Sequence, residues 1–331
     1  MSTSRGPRTE GDWRPRAGRE ALLARAELLA AVRRFFAARR VLEVETPALG
    51  RYAVTDVHLT GFATRYQGPG AGEGRRLHLA TSPELAMKRL LAAGSGPIFQ
   101  ICRAFRDGEA GRHHNPEFTL LEWYRPGWDH HALMDEVAEL LTATLGTGDS
   151  ERHTYASLFE QRVGLDPHMA SAAELDAVRA ERTDVPPVHG RADLAQALFG
   201  ALVEPHLGRE RPTFVYDYPA DQAALARLRH TAPPAVAVAE RFELYYLGLE
   251  LANGFHELAD AAEQAARFEA DRAERRRRGL PDVEADPSFL AALESGLPDC
   301  SGVALGLDRL LMLRLGGDDI RDVLAFPVDR A

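Results

Sequence analysis

The sequence predicts an α+β fold in which an antiparallel sheet is flanked by helices. Short strand-like runs follow one another through hairpin-like connections, with helical segments before and after them. Their spacing does not follow a regular βαβ alternation. No Walker or dinucleotide glycine fingerprint follows a strand, which makes the nucleotide folds built on those loops poor candidates.

In chain order, residues 1–18 are rich in Arg, Gly and Pro and are expected to form a flexible basic arm. From Glu20 to Arg40, Leu22, Leu29, Val32 and Phe36 recur at helical spacing. Val41–Val44 reads as a short strand halted by Thr46-Pro47. The glycine-rich stretch 66–75 is a turn between strand-like Val57–Thr64 and Leu77–Ala80. Ser82 suits an N-cap and Pro83 the first helical position of a helix ending near Gly94. Ile98–Phe105 and Phe118–Trp123 are apolar strands around the polar stretch Arg106–Glu117. Asp129 can cap a helix carrying Leu133, Val137, Leu140 and Leu141. Residues 146–212 are alanine-rich and mostly helical, followed by a strand at Thr213–Tyr218 and a helix-prone linker. Arg241–Leu251 is a strand pair, Ala261–Arg278 a long charged helix, and Ser301–Leu315 a small-residue strand running into an apolar helix.

The 331 residues are 45% hydrophobic and 27% charged, enough for a substantial core. No apolar run is long enough to span a membrane, and the start lacks a secretory h-region. Cys102 and Cys300 alone make no disulfide framework, so a cytoplasmic setting is expected. The net charge of −9 argues against broad nucleic-acid binding. Arginines concentrate in residues 1–40 and at Arg275–Arg278, as solvated helix faces or as a docking surface for an acidic partner. Lys88 is the only lysine, which reads as codon usage and carries little functional weight.

Four constellations carry chemistry. In Phe105–Phe118, Arg106 can fork onto a phosphate and an aromatic on the returning strand can stack on a base. In Arg241–Leu251, a two-residue loop at Leu247-Gly248 sets Tyr245 opposite Glu250. Glu243 then lies diagonally from Glu250 on the same face, a carboxylate pair suited to magnesium with bound phosphate. Asn253-Gly254 is expected to turn the chain and present Glu257 in a pocket. In Gly302–Arg309, small residues permit close approach and Arg309 can meet a phosphate at a helix start. Each taken alone can also be read as a solvated hairpin, loop or strand.

Together these residues resemble the motifs of the class II aminoacyl-tRNA synthetases, specifically the lysyl branch. Val41–Pro47 is similar to the first motif, Phe105–Phe118 to the second and Gly302–Arg309 to the third. TSPE at Thr81–Glu84, HNPEFTLLEWYRP at His114–Pro126, ELANGFHEL at Glu250–Leu258 and PDCSGVALGLDR at Pro298–Arg309 resemble that branch's truncated ligases, which act on elongation factor P. The resemblance implies a class II catalytic domain over 19–331, with 146–212 as its variable part.

It also implies roles. Arg106, Glu250 and Arg309 are the expected catalytic residues. ATP is expected against Arg106, Asp107, Gly108, His114, Asn115, Phe118, Glu250, Leu251, Gly306 and Arg309. Mg2+ would sit on Glu243 and Glu250. Ser82, Pro83 and Glu84 would meet the reacting end of the amino acid. Glu122, Tyr124, Asn253 and Glu257 would receive its distal ammonium, with Ala304 on the pocket floor. The implied reaction joins lysine or (R)-β-lysine to a lysine of elongation factor P through an adenylate, by a homodimer. Fewer than about 25 residues precede the first helix, too few for the strands of an anticodon-binding barrel, so anticodon-reading tRNA binding is not expected. A stand-alone tRNA or small-amine ligase, or an inactive regulatory subunit, are the alternatives.

Three positions depart from the pattern. Gly108 stands where many second motifs have glutamate, with Glu109 one place later. Arg40 replaces a glycine beside the first motif. Ala304 replaces a glycine of tRNA-charging lysyl enzymes, which would reshape the floor for a substrate such as β-lysine.

Overall fold

The computed structural model describes residues 13–188, 190–231 and 235–331. The helices are α1 (Arg19–Ala38), α2 (Glu84–Ala92), α3 (His130–Leu145), α4 (Tyr155–Val163), α5 (Ala172–Arg182), α6 (Arg191–Leu202), α7 (Ala261–Arg277), α8 (Pro287–Gly296) and α9 (Leu307–Arg314). The strands are β1 (Leu42–Glu43), β2 (Leu49–Gly50), β3 (Ala63–Tyr66), β4 (Arg75–Leu79), β5 (Ile98–Phe105), β6 (Glu117–Pro126), β7 (Glu151–Thr154), β8 (Thr213–Pro219), β9 (Leu228–His230), β10 (Ala237–Tyr246), β11 (Leu249–His256) and β12 (Cys300–Gly306).

The main sheet runs β1-β5-β6-β12-β11-β10-β8-β7, with β9 also on β10. Its pairings are antiparallel except β1 with β5 and β7 with β8. A small sheet, β2-β4-β3, stands apart. Because strand side chains alternate, one face carries Phe99, Leu121, Trp123, Val303, Leu305, Phe242 and Leu244 into a core with α1, α3 and α9. On the other face, α4 and α6 pack over β8 and β10 at one end. Helices α2, α7 and α8 cover Ile98, Tyr124 and Cys300 at the other end. A cavity is left between these covers.

Most elements lie where the residue pattern places them. Asp129 caps α3 by accepting from the Ala132 amide at 2.8 Å. The β10–β11 hairpin turns at Leu247 (φ 54°) and Gly248 (φ 75°), the left-handed pair of a tight antiparallel loop. Arg40 has φ 54°, a conformation glycine adopts without penalty. That accounts for the glycine usual at this position in the resembling family.

Several details differ from expectation. Leu22 points outward, and α1 buries Leu28 and Phe35 beside the expected Val32 and Phe36. Pro83 precedes α2 as its cap, while Ser82 Oγ accepts from the Glu84 amide at 3.0 Å. Of Val57–Thr64, only Ala63 and Thr64 are in a strand. The linker after β8 holds a single 3-10 turn and β9, with no α-helix among its described residues. Helix α8 was not expected; Asp286 caps it and Pro287 opens it. Residues 1–12 of the expected arm, with Arg5 and Arg8, lie outside the described residues. Arg16 and Ala17 donate backbone hydrogen bonds to Ala325 and Leu324. Among the described residues no helix is long and apolar enough to cross a membrane.

Candidate active site

The cavity has a volume of about 1180 Å³, room for a nucleotide and an amino acid together. Register builds its floor. Glu122 on β6, Ala304 on β12, Asn253 on β11 and Glu243 on β10 are direct neighbours across four strands. Tyr124, Gly302 and Phe255 form the next row.

The expected turn at Asn253-Gly254 does not exist: both residues lie within β11. A bulge between the Leu244–Ala252 and Tyr245–Glu250 pairs puts Leu251 out of register. Glu250 and Asn253, three apart in sequence, therefore both line the cavity, while Leu251 and Ala252 also join the core. Two glycines are fixed by contact. A Cβ on Gly254 would overlap the Phe242 ring, and one on Gly302 would overlap the Tyr124 ring and come within 2.6 Å of Glu257 Oε1.

One end of the cavity is acidic. Glu122 accepts from Ser82 Oγ and from the Tyr124 hydroxyl, each at 2.7 Å. Burial, then Glu84, pushes the Glu122 carboxyl up to about 8. Burial raises Glu257 to about 7, although Lys88 opposes the shift. Lys88 Nζ lies 2.5 Å from Glu257 Oε2 and 2.7 Å from Glu84 Oε1. Burial would lower the Lys88 pKa, but Glu257 and Glu84 outweigh it and the ammonium is held charged. Asn253 Oδ1 is buried with no hydrogen-bond partner among the described residues, leaving an acceptor for a ligand's N–H.

The other end carries cations. The Arg106 guanidinium lies 5.0 Å from the centre of the Phe118 ring and 3.6 Å from Glu109. Arg309, in the first turn of α9, donates to the Glu250 carbonyl at 2.7 Å and lies 2.6 Å from His114 Nε2. Burial, then Arg309, lowers the His114 pKa, keeping that imidazole neutral. Gly306 borders the cavity at the start of α9. Asn115 also borders it, yet both its polar groups are engaged, by the Glu117 carbonyl and the Val328 amide.

Asp107 and Gly108 do not line the cavity. Gly108 has φ 84°, a left-handed turn that glutamate would strain, and Glu109 takes up the contact with Arg106.

Three further carboxylates, Glu243, Glu250 and Glu204, line the cavity. Glu243 accepts from the Tyr218 hydroxyl at 2.7 Å and the Tyr245 hydroxyl at 2.5 Å, and pairs with Arg241. Burial, then Glu243, raises the Glu250 pKa. Glu204, from the variable part, is raised to about 7 by burial, Glu243 and Glu250. Reading the sequence alone missed Glu204 and Lys88, whereas the close approach expected at the small residues from Gly302 onward is present at Gly302. Only Lys88 carried a signal, four residues after Glu84 on the same helix face.

The family model for class II tRNA synthetases (D, K and N) matches residues 11–330. The chain is 53% identical to the elongation factor P–(R)-β-lysine ligase of Klebsiella pneumoniae subsp. pneumoniae, over 323 residues covering 96% of this chain and 98% of that one. It is also 53% identical to the protein of the same name from Salmonella paratyphi B, over 326 residues with the same coverage. With matches of this extent, this chain belongs to the class II tRNA synthetase family of the D, K and N type.

Proposed function

We propose that this chain is an AMP-forming ligase that activates (R)-β-lysine with ATP and magnesium and transfers it to a lysine of elongation factor P. The observation carrying this reading is the division of one cavity into an acidic end, at Glu122 and Glu257, and a cationic end, at Arg106 and Arg309. A diamino acid places its distal ammonium in the first and its carboxylate toward the second. The names of the two relatives, and their coverage along nearly the whole chain, support the substrate and the acceptor.

No side chain serves as nucleophile. The amino-acid carboxylate attacks the α-phosphorus and pyrophosphate leaves; the acceptor's amine then attacks the activated carbonyl and AMP leaves. Arg106 neutralises charge growing on the α-phosphate, Arg309 holds the far phosphates and Phe118 stacks on adenine. His114 and Asn115 border the nucleotide. Glu84 meets the amino group near the reacting carboxylate, and Glu122, Tyr124, Asn253 and Glu257 receive the distal ammonium.

The donor set fits magnesium. Burial, and then repulsion from Glu243, raises Glu250 and Glu204, and a cation among them would relieve the repulsion. Glu250 and Glu243 would hold the ion, which when bound neutralises phosphate charge. A translation factor as acceptor places the reaction in the cytoplasm.

The acceptor is tested by incubating the chain with ATP, (R)-β-lysine and either elongation factor P or lysine tRNA, followed by intact-mass measurement. The reading expects one β-lysyl addition on elongation factor P and none on tRNA. Charging of tRNA alone would overturn it.

A further inference from the structure

On the core side of the sheet, away from the cavity, three buried side chains converge. They are His130 from the first turn of α3, Glu240 from β10 and His256 at the end of β11. One donor atom of each lies within 4.8 Å of the other two. None of the three lines the cavity.

His130 is 2% exposed, and neither of its ring nitrogens has a hydrogen-bond partner among the described residues. Buried imidazole nitrogens are rarely left so, and an ion is one of the few things that satisfies them. Asp217 Oδ1, also buried and unpartnered, stands 3.9 Å from His130 Nε2. His256 Nδ1 is 2.9 Å from Glu240 Oε2, and its Nε2 is 2.9 Å from Asp299 Oδ1. An imidazole held by a carboxylate on its far nitrogen is the usual arrangement of a metal-ligating histidine. Arg227 and Arg229 brace the carboxylates: Arg227 donates to Glu240 Oε2 at 2.5 Å, and Arg229 pairs with Asp217 Oδ2, leaving Oδ1 toward His130.

We propose that His130, Glu240 and His256, with Asp217 as fourth donor, bind a divalent transition cation of the zinc class. Two imidazoles with two carboxylates select such an ion over magnesium, which takes oxygen donors. Tetrahedral zinc, with bonds of about 2.0–2.1 Å, would draw the widest pair of donors inward, which rotation of the His130 ring supplies. The bound ion ties the start of α3 to β8, β10 and β11, one residue before Glu257.

The test uses chelator-stripped full-length protein titrated with Zn2+ in excess Mg2+, by calorimetry. The proposal expects one equivalent bound, tetrahedral visible bands on Co2+ substitution, and a higher thermal midpoint with zinc. His130→Gln should weaken binding at least a hundredfold and lose the thermal effect. Asp299→Asn, at an exposed side chain, should weaken it about tenfold. Failure of the wild type to bind stoichiometric zinc overturns the proposal, as does unchanged affinity in a folded His130→Gln variant. Should that variant not fold, unchanged affinity in Asp299→Asn overturns it.

Discussion

Lys88 Nζ lies 2.5 Å from Glu257 Oε2, with both side chains 1% exposed. This ammonium also reaches Glu84, so it offsets part of the acidic end without filling it. Lys88→Met should destabilise the protein by about 3–5 kcal/mol, the usual cost of removing one partner from a buried ion pair. The sign with pH follows from Glu257, whose carboxyl burial holds at about 7, above the ordinary carboxylate range, although Lys88 opposes the shift. Without Lys88 that folded pKa rises further, so both proteins lose stability alike up to about pH 7 and the variant alone goes on losing it above. Denaturant unfolding of both proteins at about pH 5.5 and pH 8 measures this; a deficit equal at both would contradict it.

Substrate capture should release protons. With Glu122 near 8 and Glu257 near 7, the free site carries protons at neutral pH that a ligand ammonium must displace. The apparent affinity for β-lysine should therefore rise between about pH 6 and pH 8, by up to tenfold per unit for each proton released. Glu122→Gln should bind more weakly and flatten this dependence. A wild-type profile that is flat over the same range would remove the two carboxyls from ligand binding.

Local chemistry was legible in the sequence; through-space assembly was less so. Leu247-Gly248 announced its hairpin because a two-residue left-handed loop suits glycine, and Tyr245 faces Glu250 as expected. Asn253-Gly254 carries the same turn signature but lies in a strand, where Gly254 is there to admit the Phe242 ring. The bulge that aims both Glu250 and Asn253 at the cavity leaves no sequence mark. Lys88 reads in the sequence as codon usage; its partner Glu257 is 169 positions away and only the fold joins them. His130, Glu240 and His256 are likewise scattered over three elements.

Ala304 sits between Glu122 and Asn253 on the cavity floor. Ala304→Gly should enlarge the floor and shift preference from β-lysine toward α-lysine. A single methyl discriminates by about 1–3 kcal/mol, so the shift should be partial. The ratio of kcat/KM for the two isomers in wild type and variant checks this, and an unchanged ratio would remove Ala304 from isomer selection.

The first-motif segment exposes Leu42, Leu49 is exposed just after it, and α1 exposes Leu22 and Leu23. Pairing with a second copy around Pro47 would cover such residues isologously. Light scattering at micromolar concentration should give twice the chain mass of 36.4 kDa. A monomer mass would contradict the dimer.

The most direct test of the central claim is ATP–pyrophosphate exchange with (R)-β-lysine, lysine and norleucine, by wild type and Glu250→Gln. Exchange should be fastest with β-lysine. Norleucine, which leaves the buried carboxylates unpaired, should be rejected by about 10⁴-fold or more. Glu250→Gln should retain the fold by circular dichroism and lose nearly all exchange. Exchange with norleucine comparable to the lysines, or a Glu250→Gln variant within a few-fold of wild type, would contradict the assigned site; no exchange with either lysine isomer would contradict the activity itself.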